Sequence, residues 1–309
     1  MTTPVIAFLG IGLMGKPMAA RLAAADIIDT PMRVWNRSFA KAQLLQELQG
    51  PRVQAIAELG DAVDGADIVI SMLEDGKVVG AVMDAAAVRL RADALWIDMS
   101  STRHAEALDF SRRLNAVNVR FMDAPVSGGV LGAEAASLAI MAGGSKNDFA
   151  QAAPVLAAMG RATLVGPVGS GQVAKLCNQL IVGGTLDLIA EALLLAQAAG
   201  ADPAAVRTAL RGGFAESRLL EVHGQRMLDR NFLPGGQVKS QLKDMHNVLA
   251  AAAEAGVALP LAALVTEHYA SIGEQFATAD QSAALLALEQ VNPGHRLGDG
   301  PDRLPEGST

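Results

Sequence analysis

The sequence contains little that could tie the chain together covalently, and it has few aromatic side chains. Its 309 residues include one cysteine, Cys177, so a disulfide within the chain is excluded and a reducing compartment is expected. Aromatic residues make up 4% of the chain, whereas hydrophobic residues make up 51% and charged residues 18%. This composition is typical of a globular protein built on closely packed helices, and it excludes a disordered chain.

The chain also lacks a basic segment. It has 25 Lys and Arg residues against 32 Asp and Glu residues, a formal net charge of −7. Nucleic acids and anionic membrane surfaces are bound by basic patches, so we expect neither partner. The most apolar segment, 180–198, carries Asp187 and Glu191, and no basic run precedes the first apolar one. The sequence therefore predicts a cytoplasmic protein, in which an anionic substrate would need a local positive group.

Short apolar runs alternate with alanine- and leucine-rich runs in the first half of the chain. The predicted strands are Val5–Leu9, Met32–Trp35, Ile68–Met72, Leu95–Met99, Arg120–Ala124, Ala139–Ala142 and a weaker one at Ala162–Val165. Apolar strands separated by helices indicate a mostly parallel sheet that is covered on both faces. We predict an α/β fold class with an N-terminal Rossmann doubly wound sheet over residues 1–166.

Strand signals end near residue 165, and a long helical pattern follows. Residues 169–200 predict one helix of about 30 residues, which would be about 45 Å long. Asp202 followed by Pro203 predicts the start of the next helix. We expect an all-α C-terminal domain over 167–291, linked to the first domain by the long helix. The segment 292–309 is rich in Pro, Gly and charge, which predicts a poorly ordered tail.

A glycine-rich turn joins the first predicted strand to the first predicted helix. It consists of Gly10, Ile11, Gly12, Leu13, Met14 and Gly15. A lone pattern of this kind is weak, but strand, turn, helix and second strand together match the dinucleotide-binding fingerprint. Gly10 would allow the tight turn, Gly12 the approach of the pyrophosphate, and Gly15 the close packing of helix on strand. The alternative is a purely structural turn.

The end of the second strand predicts which dinucleotide is bound. NAD enzymes place an acidic residue there, whereas this chain has Asn36, Arg37 and Ser38. A guanidinium can pair with a 2′-phosphate, so we predict NADP(H) as the cofactor, with NAD(H) as the alternative. Arg37 could also be an ordinary solvated surface residue. Met72 ends a later predicted strand, Leu73 and Thr102 come after later strands, and all three are further candidate cofactor contacts, although such positions are also ordinary helix caps.

A second glycine motif, Asp123–Gly129, follows another predicted strand. Ser127 offers a hydroxyl, and Gly128 and Gly129 expose backbone N–H groups that could hold a carboxylate. A plain turn explains the same spacing equally well.

Lys175 stands near the start of the long apolar helix, with Asn178 and Gln179 on the same face. Reduction of a carbonyl needs a proton for the developing alkoxide, and a partly desolvated lysine can supply it. Lys175 is also the positive group that an anionic substrate would need. A surface lysine is the alternative. Cys177 would lie towards the opposite side as a small core residue.

Taken in order, these motifs resemble the β-hydroxyacid dehydrogenase family over essentially the whole ordered length. The residues that carry the resemblance are Gly10–Gly15, Asp123–Gly129, Gly169–Gln179, Lys243 and Asp244. The resemblance implies that Lys175 is the general acid and that Ser127, Gly128 and Gly129 bind the substrate carboxylate. It also implies that Thr102 lies beside the nicotinamide, that Lys243 reaches the cofactor and that Phe232 closes over the site.

Within the family, Lys175 followed by Asn178 and Gln179 is similar to the branch that reduces tartronate semialdehyde, and 211–217 and 227–232 resemble it too. We expect reduction of a small carboxylate-bearing aldehyde to a hydroxy acid. Which of Asn178 and Gln179 contacts substrate stays open. The alternatives are a 3-hydroxyisobutyrate or other β-hydroxyacid dehydrogenase, and a catalytically silent dinucleotide-binding protein. We further expect a homodimer or homotetramer, and no metal, since no His, Cys or Asp cluster has ligand spacing.

Overall fold

The computed structural model describes residues 3–307, which form two compact units that divide between Lys175 and Leu176. The sequence predicted this boundary at 166/167, before the long helix. The difference has a physical reason: the amide N–H groups of Gly169 and Gln172 donate to the carboxylate of Asp123 in the first unit. The first turn of the long helix therefore belongs with the sheet.

The first unit is built on one sheet. Within residues 3–307 its strands are β1 (Ile6–Leu9), β2 (Met32–Trp35), β3 (Val53–Ala55), β4 (Ile68–Ser71), β5 (Leu95–Asp98), β6 (Arg120–Asp123), β7 (Val126–Ser127), β8 (Leu138–Gly143) and β9 (Gly160–Gly166). The strand order is β3-β2-β1-β4-β5-β6-β8-β7, and β9 also pairs with β8. The pairs from β3 to β6 are parallel, whereas β8 is antiparallel to β6 and β7. The predicted Rossmann fold is confirmed.

Helices cover this sheet on both faces. They are α1 (Gly15–Ala24), α2 (Phe39–Gln49), α3 (Leu59–Val63), α4 (Gly76–Ala87), α5 (His104–Asn115), α6 (Gly129–Glu134) and α7 (Lys146–Ala157). Alternate residues of one strand enter different cores: Ile6 and Phe8 join one cluster, and Ala7 and Leu9 the other. Because both faces are buried, the strands need continuous apolar runs, which is the pattern that predicted them.

The second unit is helical. Its helices are the rest of α8 (Ser170–Ala198), then α9 (Pro203–Ala209), α10 (Arg218–Leu228), α11 (Val238–Glu254), α12 (Pro260–Ile272) and α13 (Ala284–Val291). The Asp202 side chain accepts from the Ala204 N–H, so it caps α9 as predicted. Leu186, Met245 and Tyr269 are fully buried in the core of this unit. The α8 helix is long and apolar enough to span a membrane by length and composition, but half of its most apolar window is buried within the protein.

The segment after Val291 differs from the poorly ordered tail that its composition predicts. Leu297 is fully buried, and its carbonyl accepts from the guanidinium of Arg230 at 2.7 Å. Asp302 and Glu289 also accept from Arg230, and the Phe232 N–H donates to the Arg303 carbonyl at 2.9 Å. A buried guanidinium needs several acceptors. This segment supplies two of them, from more than sixty residues away along the chain.

Candidate active site

The glycine turn between β1 and α1 has the close contacts that its sequence predicts. Gly10 has φ +101°, and its N–H donates to the Trp35 carbonyl at 2.9 Å. A Cβ at Gly10 would overlap the Met72 carbonyl, and a Cβ at Gly15 would overlap the Gly10 carbonyl. These two positions therefore require glycine because the backbone passes so closely. Gly12 instead faces open space, since a Cβ there would have no atom of residues 3–307 within 4 Å beyond its chain neighbours.

The start of α1 leaves room and charge for an anion. Met14 at the N-cap makes no side-chain capping bond, and the first turn has no acidic residue. Leu13 is exposed and Met14 is partly buried. The free N–H groups and dipole of a helix N-terminus attract phosphate. The residues present therefore fit a pyrophosphate at this turn. The amide of Ile11 is used differently, because it donates to the Asn36 side chain at 2.9 Å.

Arg37 and Ser38 lie beyond Asn36 at the carboxyl end of β2, and both are exposed. Ser38 is the N-cap of α2, where its side chain makes no capping bond. The first turn of α2 also has no acidic residue. A guanidinium, a hydroxyl and a helix N-terminus are therefore available together, which suits a phosphate group.

The loops after β4 and β5 are joined by a buried polar network that the sequence did not predict. The Leu73 N–H donates to Ser100 Oγ at 2.9 Å, and Ser100 Oγ donates to Asp98 Oδ1 at 2.7 Å. Ser71 Oγ donates to the same Asp98 oxygen at 2.8 Å. Burial raises the pKa of Asp98 to about 7, against the opposite effect of these serine hydrogen bonds. The signal for this network was an acidic residue ending an otherwise apolar strand.

Thr102 follows in the same loop and is buried. Its N–H donates to Gln172 Oε1 at 3.1 Å, whereas its Oγ1 has no hydrogen-bond partner among residues 3–307. Buried hydroxyls are normally paired. An unpaired buried hydroxyl is unusual, and this one lies in the loop that follows β5 at the carboxyl end of the sheet.

The second glycine motif forms β7 and the start of α6. Ser127 is partly buried and pairs with Ala139 of β8, and the two glycines that follow it are exposed. Gly128 has φ +136° and Gly129 has φ +63°, conformations that L side chains rarely adopt. A hydroxyl and two exposed glycines therefore stand on adjacent residues, an arrangement that suits a carboxylate.

Lys175 is the last residue of the first unit and lies in the second turn of α8. It is partly buried and interacts with another group of the protein. Asp123 holds the start of this helix, and burial raises the pKa of its carboxyl while the amides of Gly169 and Gln172 lower it. Cys177, expected to be a core residue, is exposed instead.

In the second unit, Gln179 is held by neighbouring side chains. Its Nε2 donates to Asp244 Oδ2 at 2.8 Å and to Gln241 Oε1 at 3.2 Å, and its Oε1 accepts from Asn178 at 2.8 Å. Lys243 on α11 places Nζ 3.5 Å from Asp244 Oδ1 and is 44% exposed. The structure thus brings the predicted and neighbouring polar residues into one cluster within this unit.

Phe232 has a position that differs from the prediction. It was expected to close over the site, but its side chain is fully buried in the core of the second unit. The Arg230 guanidinium lies 5.7 Å from the ring centroid. The Phe232 ring packs against the buried guanidinium of Arg230. In this structure Phe232 therefore offers no surface to a cofactor. Within residues 3–307 no group of His, Cys, Asp and Glu side chains is arranged to hold a metal.

Comparison with known proteins decides the family. Residues 5–200 match the NAD binding domain of 6-phosphogluconate dehydrogenase, and residues 169–288 match the NAD-binding domain of NADP-dependent 3-hydroxyisobutyrate dehydrogenase. The 2-hydroxy-3-oxopropionate reductase of Escherichia coli K12 is 36% identical over 94% of this chain and 99% of its own length. The chain belongs to the β-hydroxyacid dehydrogenase family.

Other β-hydroxyacid dehydrogenases are similar over comparable lengths. The probable 3-hydroxyisobutyrate dehydrogenase-like 1 of Arabidopsis thaliana is 32% identical over 93% of this chain and 86% of its own. The structure of Mycobacterium tuberculosis 3-hydroxyisobutyrate dehydrogenase with L-serine has a TM-score of 0.84 and 30% identity, covering 93% of this chain and 99% of that one. This β-hydroxyacid dehydrogenase is therefore an oxidoreductase that acts on CH–OH groups with a nicotinamide dinucleotide.

Proposed function

We propose that this protein reduces a small semialdehyde that carries a carboxylate, using NADPH, and that tartronate semialdehyde reduced to glycerate is the favoured reaction. The observation that carries the proposal is the 36% identity, over nearly the whole length, with an enzyme named 2-hydroxy-3-oxopropionate reductase. The intact Lys175 and Ser127–Gly129 motifs support it, because they supply a proton donor and a carboxylate site.

When bound, the nicotinamide would supply the hydride that reaches the carbonyl carbon. Lys175 then donates a proton from Nζ to the carbonyl oxygen as negative charge develops there, and it regains a proton from solvent. Ser127, Gly128 and Gly129 orient the substrate by hydrogen bonds to its carboxylate. The positive charge of Lys175 also attracts the anionic substrate to an otherwise acidic protein.

The hydrogen bonds in the second unit favour Asn178 over Gln179 as the substrate contact, because Asn178 makes one of them and Gln179 takes part in all three. The Gln179 amide is engaged with Asp244, Gln241 and Asn178. We therefore assign the substrate contact to Asn178 and a supporting role to Gln179. Lys243, partly exposed beside Asp244, is assigned to the cofactor.

The preference for NADPH rests on Arg37 and Ser38. Both are exposed at the end of β2, where an enzyme specific for NAD would place an acid against the ribose hydroxyls. A 2′-phosphate would meet the guanidinium, the Ser38 hydroxyl and the N-terminus of α2, whereas an unphosphorylated ribose would leave them unused.

We also propose a homodimer or homotetramer in the cytoplasm. Ile181, Leu188 and Leu195 on α8 are 66%, 56% and 70% exposed. They recur every seven residues, so they lie along one face of the helix. An apolar stripe of this length is a suitable surface for another subunit.

The test is NADPH oxidation with tartronate, methylmalonate and succinate semialdehydes, together with the reverse reaction on glycerate and 3-hydroxyisobutyrate. We expect the highest kcat/KM with tartronate semialdehyde. A preference for methylmalonate semialdehyde would instead support a 3-hydroxyisobutyrate dehydrogenase, which the similarity to the Mycobacterium tuberculosis structure makes the second candidate. Tight NADPH binding with no turnover on any substrate would disprove the proposed reaction.

A further inference from the structure

Gln172 joins the loop after β5 to the first turn of α8. Its side chain is 1% exposed. Its Oε1 accepts from the Thr102 N–H at 3.1 Å, and its Nε2 donates to the Ser100 carbonyl at 2.8 Å. The amide thus satisfies a donor and an acceptor of the same loop, an arrangement that fixes both the position and the rotation of the side chain.

The backbone of Gln172 is held equally firmly. Its N–H donates to Asp123 Oδ2 at 2.8 Å, and the Gly169 N–H donates to Asp123 Oδ1 at 2.7 Å. Asp123 therefore caps the start of α8 and satisfies N–H groups that have no partner within the helix. A Cβ at Gly171 would lie 2.7 Å from Asp123 Oδ2, so the helix can approach this strand only because glycine stands there.

Lys175 lies in the turn of α8 that follows this anchored one. Lys175 follows Gln172 by three residues, about 4.5 Å along the helix axis and less than one turn. The loop at the other end of the Gln172 amide carries Thr102, which has an unpaired buried hydroxyl. Two segments assigned to proton donation and to the nicotinamide are therefore connected through one side chain.

We propose that Gln172 is a positioning residue that holds the turn bearing Lys175 in register with the Ser100–Thr102 loop. The inference rests on the proposed function, because it assigns Lys175 to proton donation and Thr102 to the nicotinamide. Hydride and proton transfer need both partners placed to within a fraction of an ångström, and a displacement of about 1 Å can cost about a hundredfold in rate.

Gln172→Met tests this inference, because methionine has a similar volume but cannot make either amide hydrogen bond. We expect kcat to fall roughly 10- to 100-fold. The Kd for NADPH should change less than threefold, roughly. The primary isotope effect on kcat with NADPH deuterated at the transferred position should rise, because misalignment makes hydride transfer more rate-limiting. Gln46→Met is the control: it removes the hydrogen bond that the Ala55 N–H donates to the Gln46 side-chain oxygen elsewhere in the unit. It should leave kcat and the isotope effect unchanged.

A double-mutant cycle separates positioning from general stability. If Gln172 acts through Lys175, Gln172→Met should add little to the loss already caused by Lys175→Ala. The inference is wrong if the losses of kcat in the two single variants multiply in the double variant. It is also wrong if Gln172→Met keeps the wild-type kcat and isotope effect, or if its affinity for NADPH falls as much as its kcat. If Gln172→Met does not fold, Gln172→Asn carries the same test, because its amide is one methylene too short to reach both partners.

The two proposals fail differently. If Lys175→Ala loses turnover while Gln172→Met does not, the inference is wrong and the proposed function stands. If Lys175→Ala keeps full turnover, the proposed proton donor is wrong and the positioning role falls with it.

Discussion

The Asn36 side chain accepts a hydrogen bond from the Ile11 N–H at 2.9 Å, and this bond ties the glycine turn to the end of β2. Its Nδ2 donates to the Ser38 carbonyl at 3.0 Å. Asn36 is therefore occupied by the protein backbone on both sides. It organises the segment, and the next two residues, Arg37 and Ser38, are exposed.

Arg37→Asp should shift the preference from NADPH to NADH. The change removes the guanidinium that we propose to pair with the 2′-phosphate and puts a negative charge in its place. We expect kcat/KM for NADPH to fall roughly 10- to 100-fold, the effect of losing a hydrogen bond between charged groups, while NADH improves. Arg161→Asp makes the same charge change on β9, at the other end of the sheet, and should leave the ratio unchanged. An unaltered ratio in Arg37→Asp would remove the basis for the NADPH assignment.

Lys175→Ala should reduce turnover by roughly 10²–10⁴, the usual contribution of a general acid, with little change in NADPH affinity. Lys175→Arg keeps the positive charge but holds its proton too tightly to donate it. We therefore expect Lys175→Arg to retain more of the substrate affinity and to lose a similar part of kcat. Steady-state kinetics and NADPH titration distinguish these effects. Comparable loss of cofactor binding in both variants would contradict the role of proton donor.

Ser127→Ala should weaken binding of the substrate carboxylate. Loss of one hydrogen bond to a charged group raises KM for the semialdehyde roughly tenfold or more. An uncharged aldehyde of similar size should show no such increase, because it lacks the carboxylate that we propose Ser127 binds. Ser111→Ala on α5 is the control and should resemble the wild type. Equal effects of Ser127→Ala on both substrates would argue against a carboxylate site.

Arg230→Met should destabilise the helical unit strongly. It removes the guanidinium, 1% exposed, that donates to Glu289 and to the Leu297 carbonyl. Breaking a buried ion pair costs about 3–5 kcal/mol of unfolding free energy, measurable by urea denaturation. Arg211→Met is the control: Arg211 is 53% exposed with acceptors at 4.0 Å, and should cost under about 1 kcal/mol.

A chain that ends at Val291 should also have a lower free energy of unfolding, as Arg230→Met should. It lacks the Leu297 carbonyl and Asp302, which accept hydrogen bonds from Arg230. If truncation has no effect on unfolding, the contacts of this segment with Arg230 contribute nothing to stability.

Asp98→Asn should change how stability depends on pH. The folded-state pKa of Asp98 is raised from 3.8 to about 7 by burial. Its stabilising contribution is therefore complete below about pH 4 and is lost as pH rises through about 7. An asparagine side chain cannot ionise. Between about pH 4 and about pH 7, the free energy of unfolding of the variant should therefore rise relative to that of the wild type by up to ~4 kcal/mol. Urea unfolding from pH 4 to 8 measures the gap. Asp26→Asn, at a side chain that is 97% exposed, should show none.

Much of the first unit could be predicted because its signals are local. Continuous apolar runs located most strands to within a residue or two, since a strand buried on both faces tolerates few polar residues. The strands at Val53–Ala55 and Val126–Ser127 were missed, because two or three residues carry too little periodicity to identify. The glycine turn was predictable because close backbone approach admits only glycine at Gly10 and Gly15.

Local sequence patterns were enough to predict the fold class, the order of the motifs and a set of candidate site residues. Long-range packing established the rest: the division within α8, the Asp98 network, the link through Gln172 and the burial of Phe232 and Leu297. The two sets differ in the range of the interactions behind them. Turns, caps and strand patterns depend on neighbours a few residues away, whereas the partner of a buried amide or guanidinium lies some sixty or seventy residues along the chain.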